Sequence, residues 1–125
     1  GEYGSLKVAY VIHAVGPNYC DCEDDLNNLT PVHNLLKSAY KSALDRAVEN
    51  KIQSVAFSSL SAGVFRGSLS LKTVLTLGVT AMQEWSSSYA KQTGRKGDAP
   101  LSQIVLCAFT EKECKTLQAA CHNLF

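Results

Sequence analysis

The sequence predicts an α/β fold with parallel strands, on three observations. Three short apolar runs, at residues 7–15, 54–60 and 103–109, have the near-continuous character of strands buried in a sheet. Each is followed by a longer segment with apolar residues at helical spacing. Strand–helix alternation of this length implies parallel neighbours joined by right-handed crossovers.

The first expected strand, residues 7–15, ends at Gly16-Pro17, and an acidic loop at residues 21–25 follows. Thr30 is placed to cap the first helix, with Pro31 in its first turn. Its apolar stripe runs from Val32 through Leu36, Tyr40, Ala43 and Leu44 to Val48, and Asn50 is a fitting stop. Lys37, Lys41, Asp45 and Glu49 fall off the stripe and read as a wet face. The second helix is expected from near Ser70 to about Tyr89, with Val74, Leu75, Val79 and Met82 inward and Trp85 closing the end of the core. Gly78 weakens that helix by roughly 1 kcal/mol relative to alanine, or allows close packing on the sheet. Residues 91–100 read as a surface connection with a small basic cluster, Lys91, Arg95 and Lys96. The last helix starts at Thr110, with Glu113 placed for a capping box, and runs to about Leu124.

Bulk properties narrow the function classes. The 125 residues fit one domain, and 46% hydrophobic with 18% charged residues suits a folded chain. A net charge of +1 gives no global argument for nucleic acid or an anionic membrane. No apolar run approaches the ~20 residues of a membrane span. The first residues lack the regions of a signal peptide, so a cytoplasmic or nuclear setting is expected. Five cysteines, an odd number, read as free thiols, with Cys107 in the core and Cys114 and Cys121 packed inward. Cys20 and Cys22, with His13 and His33 nearby, do not match zinc spacings, and neither a metal nor a cofactor is expected.

In parallel sheets ligands bind beyond the carboxyl ends of the strands. That rule selects Gly16-Pro17, the loop from Ser61 to Gly67, and Phe109-Thr110. The middle loop is small and glycine-containing, which lets backbone approach a ligand and converging N–H groups hold an anion. The same pattern also fits a serine-rich connection that only turns the chain. Phe109 reads either as an aromatic surface for a base or ribose or as a core phenylalanine. No Lys-Ser or Lys-Thr ending follows the loop, which argues against a nucleotide triphosphatase.

Three motifs together resemble the macrodomain family across essentially the whole chain. They are Val11-Ile12-His13-Ala14-Val15-Gly16-Pro17, then Ser54-Val55-Ala56-Phe57 leading into Leu60-Ser61-Ala62-Gly63-Val64-Phe65, then Val105-Leu106-Cys107-Ala108-Phe109 with Thr110-Glu111. The resemblance implies a three-layer α/β/α fold that binds ADP-ribose or a mono-ADP-ribosylated protein. It implies a ligand loop of Leu60, Ser61, Ala62, Gly63, Val64 and Phe65, whose backbone N–H groups from Ser61 onward are the main donors to the diphosphate and distal ribose. Phe65 would lie beside the distal ribose, Phe109 near the adenosine end, and His13 would pack. Two departures stand out. Arg66-Gly67-Ser68 replaces the Gly, aromatic and Pro of many members, and Arg66 is expected to point to water. The family's N-terminal strands, Asn-containing loop, Gly-rich loop and adenine-reading acidic residue have no counterpart among these residues. The chain is therefore expected to be the C-terminal part of a larger domain, with another stretch of polypeptide supplying a strand between residues 7–15 and 54–60. Alternatives are an ADP-ribosyl hydrolase or O-acetyl-ADP-ribose deacetylase that draws on residues outside this chain, and an interaction module that binds no ligand.

Overall fold

Two of the three expected strands form. The computed structural model describes residues 4–93 and 101–125. Helix α1 spans Thr30–Glu49, strand β1 Ser54–Ser58, helix α2 Leu71–Thr93, strand β2 Gln103–Cys107 and helix α3 Glu111–Leu124. Short 3₁₀ segments lie at Tyr19–Asp25 and Val64–Arg66. β1 and β2 are parallel, in register from Ser54 with Gln103 to Ser58 with Cys107, and α2 makes the crossover. The fold is α/β, as the alternation of elements predicts. Arg95 and Lys96 of the expected basic cluster lie outside the described residues, and Lys91 belongs to the last turn of α2.

The strand expected over residues 7–15 is not formed. Its inward positions survive: Ile12 and Ala14 pack on the core, while His13 and Val15 are exposed. The period of two of a strand is kept without a ladder. The physical reason is the lack of a neighbour, since β1 is bonded to β2 and to no other strand among the described residues. Residues 6–12 and β1 instead line one open groove of about 870 Å³. Leu6, Val8, Tyr10 and Val15 are left exposed, Val15 at 79%. The packing role implied for His13 is corrected by its exposure.

The sheet is covered on one face. Val55, Phe57, Ile104 and Leu106 pack against the helices, whereas Ser54, Ala56, Ser58, Gln103, Val105 and Cys107 are exposed. No helix among the described residues covers that second face, so the third layer implied by the resemblance is not built from them. Cys107 falls on the open face, which corrects its assignment to the core. Cys114 is also exposed; Cys121 is half-buried, and burial raises its thiol pKa.

The main core joins Leu36, Tyr40, Ala43 and Leu44 of α1 to Phe57 and to Val74, Ala81 and Met82 of α2. Full burial contributes about 1.5–3 kcal/mol for each large aliphatic or aromatic side chain. A second cluster sets Leu75 and Val79 of α2 against Leu117 and Ala120 of α3. Caps fix the starts of α2 and α3: Ser70 Oγ accepts from Thr73 N at 3.1 Å, and Thr110 Oγ1 from Glu113 N at 3.1 Å. Thr30, expected to cap α1, is instead its first residue, and the N-cap position, Leu29, makes no side-chain cap. Asn50 ends α1, its Nδ2 donating to Arg46 O at 2.8 Å.

The polar face of α1 does more than meet water. Lys37 and Lys41 each donate to one carboxylate oxygen of Glu84 at 2.7 Å. Trp85 Nε1 donates to Asp45 Oδ1 at 2.8 Å, and its ring stacks on Tyr89 with centroids 4.8 Å apart. The hydrogen bond from Lys37, then that from Lys41, holds the Glu84 carboxyl below its ordinary pKa of 4.5. A depressed carboxylate stabilises the fold above the unfolded-state pKa, and the contribution is lost as pH falls through the native value. Glu84→Gln is therefore expected to cost up to about 1 kcal/mol at neutral pH, because the cluster is partly exposed. In urea titrations the difference from wild type should shrink to nothing on acidification through that native value. A pH-independent difference would contradict the ionic account.

Candidate functional site

The loop after β1 begins where Leu60 N donates to the Tyr40 hydroxyl at 2.7 Å. Ser61 then takes a left-handed conformation, φ 57°, and donates from Oγ to the Pro17 carbonyl at 2.7 Å. The chain next passes through Gly63 into the Val64–Arg66 turn, which Arg66 N closes on Gly63 O at 3.1 Å. Cys20 Sγ donates to Val64 O at 3.4 Å. Gly67, φ 62°, leaves the loop with its α-carbon against the backbone of Tyr19 and Cys20. Positive φ at that crowded point suits glycine.

Two loops thus interlock. Gly67 is pressed on the loop after Gly16, and Gly16 is pressed on Ser61, whose Oγ occupies the space a Cβ at position 16 would need. The second loop is itself anchored. Asn18 Oδ1 accepts from Cys20 N at 3.1 Å, opening the Tyr19–Asp25 3₁₀ segment. Tyr19 is buried, and its hydroxyl shares a 2.8 Å hydrogen bond with His33 Nδ1. Burial pushes the Tyr19 phenol up to about 12, with the nearby Cys22 a smaller cause. Burial, then Lys37, lowers the pKa of His33. The expected acidic loop at residues 21–25 thus belongs to an ordered 3₁₀ segment.

At the tip, the N–H groups of Gly63, Val64 and Phe65 donate to no acceptor among the described residues. All three residues are exposed, Val64 at 89%. The space over Gly63 is open for 4 Å from where a Cβ would stand. Successive free N–H groups on a bent backbone form a concave partial positive charge that attracts anions. Arg66 lies beside them, half-buried, its guanidinium without a hydrogen-bond partner among the described residues.

The expected site residues are distributed as follows. Leu60, Ser61 and Ala62 form the half-buried root of the loop, and Gly63, Val64 and Phe65 its exposed tip. Phe109 stands two residues beyond Cys107, the register partner of Ser58, and so lies at the same carboxyl edge of the sheet. It is 94% exposed, which removes the core reading of that ring. Reasoning from sequence missed Tyr40, which it placed in an apolar stripe, and the Pro17 carbonyl. The Ser61 hydroxyl is structural, since it is committed to Pro17 and bonded to no histidine. Among the described residues no group of three His, Cys, Asp or Glu side chains is placed to hold a metal.

Comparison with known proteins points the same way. The profile of the family described as Macro domain matches residues 2–75. A macro domain-containing protein of Vibrio parahaemolyticus is 44% identical over 64 residues, which cover 51% of this chain and 34% of that protein. Another, from Listeria monocytogenes, is 30% identical over 112 residues, 90% of this chain and 55% of that protein. ADP-ribose glycohydrolase MACROD1 of Bos taurus is 31% identical over 108 residues, 86% of this chain and 29% of that protein. The matched stretches therefore cover between 29% and 55% of the length of these relatives.

Proposed function

Since the chain belongs to the macro domain family, we propose that its interlocked loops bind the diphosphate of ADP-ribose, free or as a mono-ADP-ribosyl group on a protein. The observation that carries this reading is the row of free N–H groups at Gly63, Val64 and Phe65, exposed at the carboxyl edge of the sheet. A diphosphate supplies the acceptors that such a row lacks. The exposed rings of Phe65 and Phe109 offer flat apolar surface for a ribose and a base on either side. Titration calorimetry with ADP-ribose tests the reading. Saturable one-to-one heat is expected. A folded sample that gives none, both as these 125 residues and within a longer polypeptide of the family, would overturn it.

Hydrolysis of the ADP-ribosyl bond is a second reading, favoured by the similarity to a protein named as an ADP-ribose glycohydrolase. With the Ser61 hydroxyl committed to Pro17, any such chemistry would draw its water-positioning groups from outside these residues.

The same reading includes a further stretch of polypeptide in the sheet. β1 carries a ladder on one side, and its other side opens on the groove lined by residues 6–12. Backbone groups on an open edge are a template for another strand. In the 125-residue chain, amides of residues 10–15 are expected to exchange hydrogen at near-unprotected rates. Within a longer polypeptide they should slow by at least about a hundredfold. Strong protection in the short chain would contradict an open groove.

A further inference from the structure

We propose that Tyr40 is a positioning residue for the ligand loop: its hydroxyl, lodged against Gly78 of α2, sets the course of residues 60–65. The proposal rests on the ADP-ribose reading for its ligand. Its structural part stands on four observations. Tyr40 is 2% exposed, so its ring has no alternative place to go. Its hydroxyl accepts the N–H of Leu60, the first residue of the loop, at 2.7 Å. A Cβ at Gly78 would stand 3.0 Å from Cε2, Cζ and the hydroxyl oxygen, so the missing side chain is what lets the hydroxyl reach the loop. Phe57, three residues before Leu60, packs its ring on that of Tyr40 at 5.4 Å and 59°.

The chain of contacts explains why α2 carries a glycine where it meets Tyr40 of α1. Helix propensity at this position is given up for a notch. The notch admits a hydroxyl, and the hydroxyl fixes the N–H immediately before Ser61, where the chain turns left-handed. Gly63, Val64 and Phe65 follow from that point, with the Ser61–Pro17 and Cys20–Val64 bonds holding the loop further along. Burial raises the Tyr40 phenol to about 12, against the lowering effect of the Leu60 N–H, so the latch stays neutral through the physiological range.

Tyr40→Phe removes the hydroxyl and keeps the ring. In amide NMR spectra the resonances of residues 60–65 are expected to shift while those of α3 stay in place. The ADP-ribose dissociation constant should rise about tenfold, the scale of one lost hydrogen bond. Gly78→Ala keeps the hydroxyl but pushes it, and should displace the same resonances; in the Tyr40→Phe background it should displace them less. Should Tyr40→Phe fail to fold, Gly78→Ala decides alone. Unmoved loop resonances in the folded variant would overturn the proposal, as would unchanged affinity in a variant of a wild type that binds. A wild type that binds no ADP-ribose would overturn the ligand reading instead, leaving the loop resonances to decide on Tyr40.

Discussion

Gly63→Val is expected to weaken ADP-ribose binding by at least about a hundredfold, equivalent to about 2.7 kcal/mol, with the thermal midpoint of unfolding unchanged. The two halves of this expectation come from one fact: a Cβ at position 63 would meet nothing within 4 Å. The fold has room for a side chain there, so burial and packing are untouched. That same room is where an anion must come to reach the N–H groups of Gly63, Val64 and Phe65. A branched side chain stands over the row and keeps phosphate oxygens beyond hydrogen-bond distance. Calorimetry on the variant, beside its melting curve, separates the outcomes. Wild-type affinity in a folded variant would move the cradle elsewhere.

Gly16→Ala is expected to have the larger effect on stability, a loss of about 1–3 kcal/mol in urea unfolding, in line with overpacked cores. Its Cβ would collide with Ser61 Oγ and stand 3.2 Å from Leu36 Cδ1 and 3.3 Å from Leu60 Cβ. Leu36 is fully buried and cannot retreat. Ser61 can move only by releasing the Pro17 carbonyl, which separates the two loops. Binding should therefore weaken together with stability. Ser61→Gly in the same chain removes the obstructing atom and is expected to restore part of the stability. A strictly additive double variant would show that the two positions are independent.

The sequence made the α/β class legible because its cues are local. Period, caps and breakers mark α1, α2, α3, β1 and β2 within a few residues of their observed ends. The loop at residues 60–65 was legible for the same reason, since small residues between a strand and a helix are a local pattern. What escaped depends on distant partners. Residues 7–15 carry the composition of a strand, yet a strand exists only through its neighbour, and composition does not say whether one is present. Cys107 sits in an apolar run, but its side of the sheet lacks a cover among the described residues. Tyr40 fits an apolar stripe by spacing, and nothing in that spacing reveals that its hydroxyl meets an N–H twenty residues further on. Gly78 was legible as a site of close packing, but the packing is on Tyr40 of α1 instead of the sheet. Lys37, Lys41 and Asp45 fall off the stripe of α1, and only the arrival of Glu84 and Trp85 from α2 gives them partners.

The chain's single tryptophan is placed to act as an optical gauge. Trp85 is stacked on Tyr89, tied to Asp45, and lines the open groove that runs along the outer edge of β2. Its hydrogen bond and its ring contact both lie away from residues 60–65. Its emission therefore reports on the sheet's flank and the α1–α2 seam, with little direct contribution from ligand at the loop. A polypeptide that closes that flank should shift the emission to shorter wavelength and shield the indole from a dissolved quencher. ADP-ribose should leave both signals nearly still. One fluorescence spectrum can thus separate cover on the outer flank of β2 from occupancy of the binding loop.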